Sequence, residues 1–325
     1  MRSFNHVSAM TVEEACQLLD RYEGRAVLNA GGTDLLGVLK DEILPGYPEL
    51  VINIKTIPGL DFITGEAGCL KIGALTKLAD IANSHVVRER YPVLSEASRS
   101  VATPQIRNAA TIGGNLCQDI RCWYYRYPRH IGGPMQCLRK GSGPCLAIKG
   151  DNRYHAVMGG KRCFAVCPSD TAVALAALDA TIHIVGPQGK RKMAVTDFFG
   201  PLAHGLKPNE IVKEIEIPAL AGTSSQRYMK FTLRKPVDFA IVSVASIVTM
   251  ERERFSDVRI ALGAVAPGPV RPRAAEERLK GKPANNRTVA DAADMAMSTA
   301  KPLAKNGYKV TIAKTLIQRA LLGGG

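Results

Sequence analysis

Six of the eight cysteines of this 325-residue chain lie in one stretch of its middle third. They are Cys117, Cys122, Cys137, Cys145, Cys163 and Cys167. Thiolates are soft ligands, so four of them suit a zinc ion or an iron–sulfur cluster. Gaps of 14, 7 and 17 residues separate Cys122, Cys137, Cys145 and Cys163. These gaps match neither a zinc ribbon nor a ferredoxin run, so spacing alone leaves the metal undecided.

The compartment and the charge restrict what these cysteines can do. The first residues carry no apolar signal segment and no stretch approaches the ~20 apolar residues of a membrane span, so we expect a cytoplasmic protein with reduced cysteines.

The net charge is +14, and residues 121–163 alone carry +8. A basic surface suits nucleic acid, phosphate groups or an acidic protein, or is simply solvated. The sequence has no nucleic-acid-binding motif, so we expect no nucleic acid partner.

Two glycine pairs form a second candidate site. The segment "NAGGTDLL" (29–36) follows an apolar strand and opens a helix, and "ATIGGNLC" (110–117) repeats the glycine pair. Glycine allows backbone N–H groups to approach a ligand closely, and a helix start favours phosphate. Two such turns could grip a pyrophosphate from both sides. Neither is the dinucleotide fingerprint G-x-G-x-x-G or a P-loop, so a nicotinamide site is not supported.

The elements around these motifs indicate an α+β protein. Thr11 and Glu14 predict a capping box at the start of a first helix that ends near Gly24. Strands and helices alternate up to about residue 222. The chain beyond it predicts three antiparallel strands followed by three helices. The expected domains are 1–58 and 59–222, both α/β, the second with a cysteine-rich loop at 118–167, and then 223–325.

The two glycine motifs, taken together, resemble the flavin-binding subunits of the molybdenum hydroxylases, which include xanthine dehydrogenase and carbon monoxide dehydrogenase. The segments "PSDTAVALAALDATI", "LKPNEIVKEIEIP" and "KFTLRKPVDFAIVSVA" are similar to family segments in the same order. The resemblance covers nearly the whole chain. It implies a two-subdomain FAD-binding fold of the PCMH (vanillyl-alcohol-oxidase-like) type, followed by a C-terminal domain with a three-stranded antiparallel sheet and helices.

The resemblance also implies which residues contact FAD. Residues 28–35 would wrap the pyrophosphate, and the second glycine pair would form the second wall. Asp170 would bind a polar part of the cofactor. Ile211 and Lys230 would lie near the isoalloxazine ring, and Val101 would form an apolar wall. The full set is Leu28, Asn29, Ala30, Gly31, Gly32, Thr33, Asp34, Leu35, Val101, Thr111, Gly113, Gly114, Asn115, Asp170, Ile211 and Lys230.

The ordinary family member runs almost directly from the second glycine motif into the Asp segment, whereas 49 residues separate "GGNLC" from "CPSD" here. The cysteine pattern resembles the 4-hydroxybenzoyl-CoA reductase branch, whose flavin subunit holds a [4Fe–4S] cluster in such a loop. Carried over in order, the ligands are Cys122, Cys137, Cys145 and Cys163, with Cys167 as the rival for the fourth. Trp123, Tyr124, Tyr125 and Tyr127 would shield the cluster. Cys117 is expected to pack near the flavin, and Cys16 and Cys69 are expected to be structural.

The implied function is that of an electron-transfer subunit, an FAD-dependent oxidoreductase component with no substrate acid, base or nucleophile of its own. The implied partners are a small [2Fe–2S] subunit, a large molybdopterin subunit with molybdenum or tungsten that holds the substrate, and a ferredoxin-like carrier, in a dimer of heterotrimers. The direction of electron flow stays open. There are two alternatives. One is a binding module whose loop is held together by structural zinc and whose basic surface binds RNA or DNA. The other is a free-standing flavin reductase that uses NAD(P)H.

Overall fold

Three β-sheets follow one another along the chain. The computed structural model describes residues 1–66, 68–133, 135–220, 222–235 and 237–323. The first sheet is parallel, with the strand order β1-β3-β2. Its elements are β1 (Asn5–Ser8), α1 (Val12–Arg21), β2 (Ala26–Asn29), α2 (Leu35–Lys40) and β3 (Leu50–Asn53).

The capping prediction for α1 is confirmed. The Thr11 side chain accepts a hydrogen bond from the Glu14 backbone N–H at 3.0 Å, and the Glu14 carboxylate accepts one from the Met10 N–H at 2.7 Å. Val12, Ala15, Cys16 and Leu19 form the buried face of the helix. This face packs against the parallel sheet and holds β2 so that its carboxyl end opens into the first glycine pair.

The second sheet is antiparallel, with the order β4-β5-β8-β6-β7. Its strands are β4 (Ile63–Glu66), β5 (Cys69–Gly73), β6 (Thr181–Gly186), β7 (Gly189–Ala194) and β8 (Ile211–Pro218). Its helices are α3 (Leu78–Asn83), α4 (His85–Arg90), α5 (Pro92–Arg99), α6 (Pro104–Ala109), α7 (Ile112–Cys117), α8 (Arg129–Gly132), α9 (Asp170–Ala177) and α10 (Val195–Phe198). Every residue of α9 is buried, because this helix packs against α5 and α7 and against the third sheet.

The second glycine pair differs from the expected turn. Gly113 and Gly114 lie in the first turn of α7, and the Thr111 hydroxyl caps that helix by accepting from the Gly114 N–H at 3.2 Å. A Cβ on Gly113 would lie 2.9 Å from the backbone oxygen of Ala74. The glycine therefore serves close packing of α7 against the end of β5.

The C-terminal part confirms the predicted three-stranded antiparallel sheet, in the order β11-β10-β9. Its elements are β9 (Ser225–Phe231), β10 (Val242–Glu251), β11 (Arg254–Gly263), α11 (Arg273–Leu279), α12 (Asn286–Ala296) and α13 (Tyr308–Leu322). Helices α11 to α13 cover one face of this sheet with an apolar core of their own. In the described part of the chain, no helix has the length and hydrophobicity needed to cross a membrane.

The cysteine insert, residues 118–167, has little regular structure. Apart from α8 and a 3-10 turn at Leu138–Lys140, its described residues form loops. An antiparallel bridge between Arg121 and Val166 closes its base, with backbone hydrogen bonds of 3.0 and 3.3 Å. Ile120 and Tyr125 pack on Val38 of α2 and on Ile43, which fixes the insert against the first glycine segment.

Candidate functional site

A large cavity of about 690 Å³ lies where the two glycine segments face each other. This is within the usual range for a small-molecule or cofactor site. Gly31 and Gly32 line one wall, and Gly113 and Gly114 line another. A Cβ on Gly31 would collide with the backbone carbonyl of Ala109 at the end of α6. Only glycine lets the two walls approach this closely, which fits the predicted grip on a pyrophosphate.

Most of the predicted FAD-contacting residues line this cavity, and three do not. Those that line it are Leu28, Ala30, Gly31, Gly32, Thr33, Asp34, Leu35, Val101, Thr111, Gly113, Gly114, Asn115 and Ile211. Asn29, Asp170 and Lys230 are outside its lining.

Asp170 and Lys230 pair with each other behind the cavity wall. The Lys230 ammonium lies 2.7 Å from the Asp170 carboxylate, which also accepts the Tyr228 hydroxyl at 2.6 Å. Burial raises the pKa of Asp170, although Lys230 opposes that shift. Lys230 also donates to the Ser100 carbonyl at 3.0 Å. The pair therefore supports the segment that presents Val101 to the cavity.

Asn115 shows how the second wall is held. Its side-chain oxygen accepts hydrogen bonds from the hydroxyls of Ser169 and Thr171, at 2.7 and 2.6 Å. Ser169 also caps α9 by accepting from the Ala172 N–H. The side chains of α7 are thus oriented by the start of α9, a contact between residues more than 50 positions apart.

Asp34 connects the first glycine segment to the cysteine insert. Its carboxylate lies 2.8 Å from Arg121 and 2.9 Å from Arg126, and it accepts the Asp119 backbone N–H at 2.9 Å. Burial works to raise the pKa of Asp34, but the two guanidinium groups outweigh it and leave this pKa below its usual value. Burial also lowers the pKa of Arg121 to about 10. This value is still well above neutral pH, so the guanidinium is charged at pH 7.

A second, smaller cavity lies inside the insert, and the four predicted ligands Cys122, Cys137, Cys145 and Cys163 all line it. Cys167 instead lines the large cavity, as does Cys117. Burial raises the pKa of both of these to about 12, so they are thiols at neutral pH.

Aromatic and aliphatic side chains close the small cavity. Tyr124, Tyr125, Leu138 and Leu146 line it, whereas Trp123 packs edge-on against Tyr154 at a partly exposed position. Tyr127 is outside the lining of the small cavity. Two of the four aromatic residues predicted to shield the cluster, Tyr124 and Tyr125, therefore line the cavity.

His155, in the second half of the insert, contacts one of the four cysteines. Its Nε2 lies 3.2 Å from the Cys122 sulfur. Burial lowers the pKa of His155 to about 4, so the ring is neutral at pH 7. No local pattern in the sequence marks this histidine, because 33 residues separate it from Cys122.

Sequence reasoning also missed residues shared by the two cavities. Ile120 and Arg139 line both. Among the residues that line the large cavity only, Asp119, His204 and Phe239 carry no motif. The one available signal was the charged run "QDIR" directly after the second glycine segment.

Comparisons with known proteins agree with this geometry. Residues 2–220 match the FAD binding domain in molybdopterin dehydrogenase, and residues 227–323 match the CO dehydrogenase flavoprotein C-terminal domain. The chain is 35% identical to the FAD-binding subunit of an aldehyde oxidoreductase of Escherichia coli, over 99% of this chain and 98% of the relative.

Solved structures give the same result. The chain is similar to carbon monoxide dehydrogenase from Hydrogenophaga pseudoflava, with a TM-score of 0.78 and 30% identity over 98% of this chain and 96% of that chain. Quinoline 2-oxidoreductase from Pseudomonas putida 86 matches with a TM-score of 0.77 and 25% identity, over 99% and 96% of the two chains.

Proposed function

Because the chain belongs to the family of FAD-binding subunits of the molybdopterin dehydrogenases, we propose that it relays electrons between FAD and a [4Fe–4S] cluster bound by Cys122, Cys137, Cys145 and Cys163. FAD binding and oxidoreductase membership follow from the family. The observation that carries the proposed cluster is the single cavity lined by four cysteines, which shares Ile120 and Arg139 with the FAD cavity.

The arrangement of the sulfurs favours a cluster over zinc. A structural zinc ion requires four ligands at about 2.0–2.3 Å from one point. Within the described ranges, no group of three or more His, Cys, Asp or Glu side chains is placed to hold a single metal ion. Four cysteines that line one cavity suit a cluster, because a cluster offers one iron to each thiolate.

Cys163 is the better candidate for the fourth ligand. It lines the small cavity with the other three cysteines, whereas Cys167 faces the FAD site. The proposal therefore assigns Cys167 to the flavin wall.

The remaining residues of this chain position and insulate the two centres. When bound, FAD exchanges electrons singly or in pairs and the cluster exchanges them singly. The glycine segments hold the flavin, and Tyr124, Tyr125, Leu138 and Leu146 exclude water from the cysteines. No residue of this chain is assigned a role as substrate acid, base or nucleophile.

The proposed assembly includes a small [2Fe–2S] subunit and a large molybdenum or tungsten subunit that binds the substrate, in a dimer of heterotrimers. One relative is the medium chain of a carbon monoxide dehydrogenase, a name that supports a multi-chain enzyme. The similarity to dehydrogenases favours electron flow outward, from the partner chains through FAD to the cluster. The +8 charge of residues 121–163 suits an acidic ferredoxin-like acceptor at the insert.

Cofactor analysis of the anaerobically purified protein tests the cluster. We expect about four iron atoms, about four sulfides and one FAD per chain, with an EPR signal after reduction by dithionite. Cys163→Ser should lose the iron and keep FAD, because its sulfur lines only the small cavity. Cys167→Ser is the matched control, four residues further along the chain, and should keep all its iron. Bound FAD with about one zinc and no iron would refute the cluster and leave the flavin subunit standing.

A further inference from the structure

Arg139 is the one charged residue that lines both cavities in the described part of the chain. Its side chain is only 10% exposed. It follows Cys137 by two positions, in the 3-10 turn of the insert. A charge at this position acts on whatever occupies either cavity.

The polar partners of Arg139 are few and weak. One terminal nitrogen lies 3.7 Å from the Asp119 carboxylate, and the other donates to the Pro201 carbonyl at 3.3 Å. The guanidinium carbon lies 5.9 Å from the centre of the Tyr125 ring. The buried Nε–H finds no acceptor among the described residues. A buried donor without a partner is costly, which indicates that a group absent from the chain itself compensates for it.

The surrounding ion pairs leave Arg139 as a surplus cation. Asp34 is fully used by Arg121 and Arg126. The Asp119 carboxylate accepts the Tyr125 hydroxyl at 2.6 Å and the Ile120 N–H at 2.8 Å. Two carboxylates therefore face three guanidinium groups between the cavities, and the positive charge in excess lies on the residue common to both.

We propose that Arg139 sets the reduction potentials of the flavin and the cluster together, through one buried positive charge. This inference rests on the proposed function. Reduction adds negative charge to each centre, and a nearby cation in a poorly solvated site stabilises the reduced form. Because the same charge faces both sites, it raises both reduction potentials. The driving force for electron transfer between the two centres therefore changes less than the driving force for transfer between either centre and an outside carrier.

Redox titration of matched variants tests this assignment. Arg139→Gln keeps a polar side chain and removes the charge. We expect both midpoint potentials to fall, each by the equivalent of about a tenfold change in the reduction equilibrium. A tenfold change in the reduction equilibrium of each centre corresponds to ~59 mV for one electron. Arg139→Lys should restore most of both shifts. Arg162→Gln should lower the cluster potential alone and by less, because Arg162 is exposed and lines only the small cavity. Lys149→Gln, an exposed position on the same insert that lines neither cavity, should change neither potential.

If Arg139→Gln loses a cofactor, a second variant that is expected to shift the potentials in the opposite direction replaces it. Asp119→Asn removes the carboxylate nearest Arg139 and should raise both potentials. If Arg139→Gln keeps its iron and FAD but one or both potentials do not move, the role of Arg139 is overturned and the relay stands. If Arg139→Gln loses a cofactor, the same criterion applies to Asp119→Asn. A wild-type protein that binds FAD but no iron would overturn the proposed relay and this inference together.

Discussion

Gly31 illustrates function at the scale of one residue. Its missing side chain allows the segment after β2 to approach the end of α6, at the wall of the large cavity. Any larger residue pushes Ala109, and with it the second glycine segment, away from the first. The position is therefore constrained by contact between two walls and not by an unusual backbone angle.

We expect Gly31→Ala to weaken FAD binding by at least about tenfold, since a steric loss of ~1.4 kcal/mol or more is typical of overpacking. The measurement is an FAD dissociation constant by flavin fluorescence. Gly37→Ala is the control, because a Cβ there meets no atom within 4 Å and the residue lies inside α2. That variant should bind FAD normally and gain about 0.5–1 kcal/mol of helix stability. Equal FAD affinity in both variants would contradict the steric argument.

The cysteine insert is the informative feature at the scale of elements. Several of its buried apolar residues share one cluster with Val38 and Ile43, and the insert is held on two sides. Asp34 holds one side through Arg121 and Arg126. On the other side, Asn306 donates to the carbonyls of His155 and Ala156 at 3.2 and 3.3 Å. The position of the cysteines therefore depends on both the first glycine segment and the C-terminal domain.

Asp34→Asn should destabilise the protein by about 3 kcal/mol, because it leaves two largely buried guanidinium groups without their carboxylate. Iron content and the urea midpoint should fall together. The control is Asp151→Asn in the same insert, whose partner Arg153 is 53% exposed. An exposed pair contributes about 1 kcal/mol or less, so this variant should resemble the wild type. A small, equal effect of both changes would show that Asp34 does not anchor the insert.

Lys309 connects three parts of the molecule. It is fully buried near the start of α13, and its ammonium donates to the carbonyls of Tyr154, His155 and Ala264, at 3.2, 3.1 and 2.5 Å. The insert, the end of β11 and the C-terminal helices thus share one cation. Burial lowers the pKa of Lys309 to about 7.

This shift predicts how stability depends on pH. Between pH 7 and the unfolded-state pKa of about 10.4, the unfolded chain binds more protons than the folded chain, so the contribution of Lys309 to the free energy of unfolding rises with pH. The penalty of burying the charge is complete below pH 7 and disappears above the unfolded-state pKa. The slope is up to about 1.4 kcal/mol per pH unit.

Denaturant unfolding between pH 7.5 and 9.5 measures this slope as a difference between the wild type and Lys309→Met. The stability of the wild type relative to the variant should increase with pH. Lys305→Met, at an exposed lysine on the same segment, should follow the wild type at every pH. Parallel curves for wild type and Lys309→Met would mean that Lys309 keeps an ordinary pKa in the fold.

Local patterns in the sequence predicted many of the elements and a cavity between the two glycine pairs, whereas the resemblance to a family implied the flavin. The Thr11–Glu14 capping box, the three C-terminal strands and the first glycine pair are signals within a few residues, and the structure contains all of them. The sequence predicts a turn at the second glycine pair, by analogy with the first pair. The structure instead has the start of α7 there, with the Thr111 cap and the tight contact with Ala74.

Only the tertiary structure decided which distant side chains meet. Four cysteines spread over 42 residues surround one cavity, Cys167 faces another, and Arg139 lies between the two. The same holds for Asp170 and Lys230, which pair behind the cavity wall across 60 positions. Contacts of this kind depend on how sheets and loops pack, and packing leaves no fixed spacing in the chain. The sequence alone therefore determined the cofactor class and the residue types of the site, and the fold decided which of those residues share a cavity.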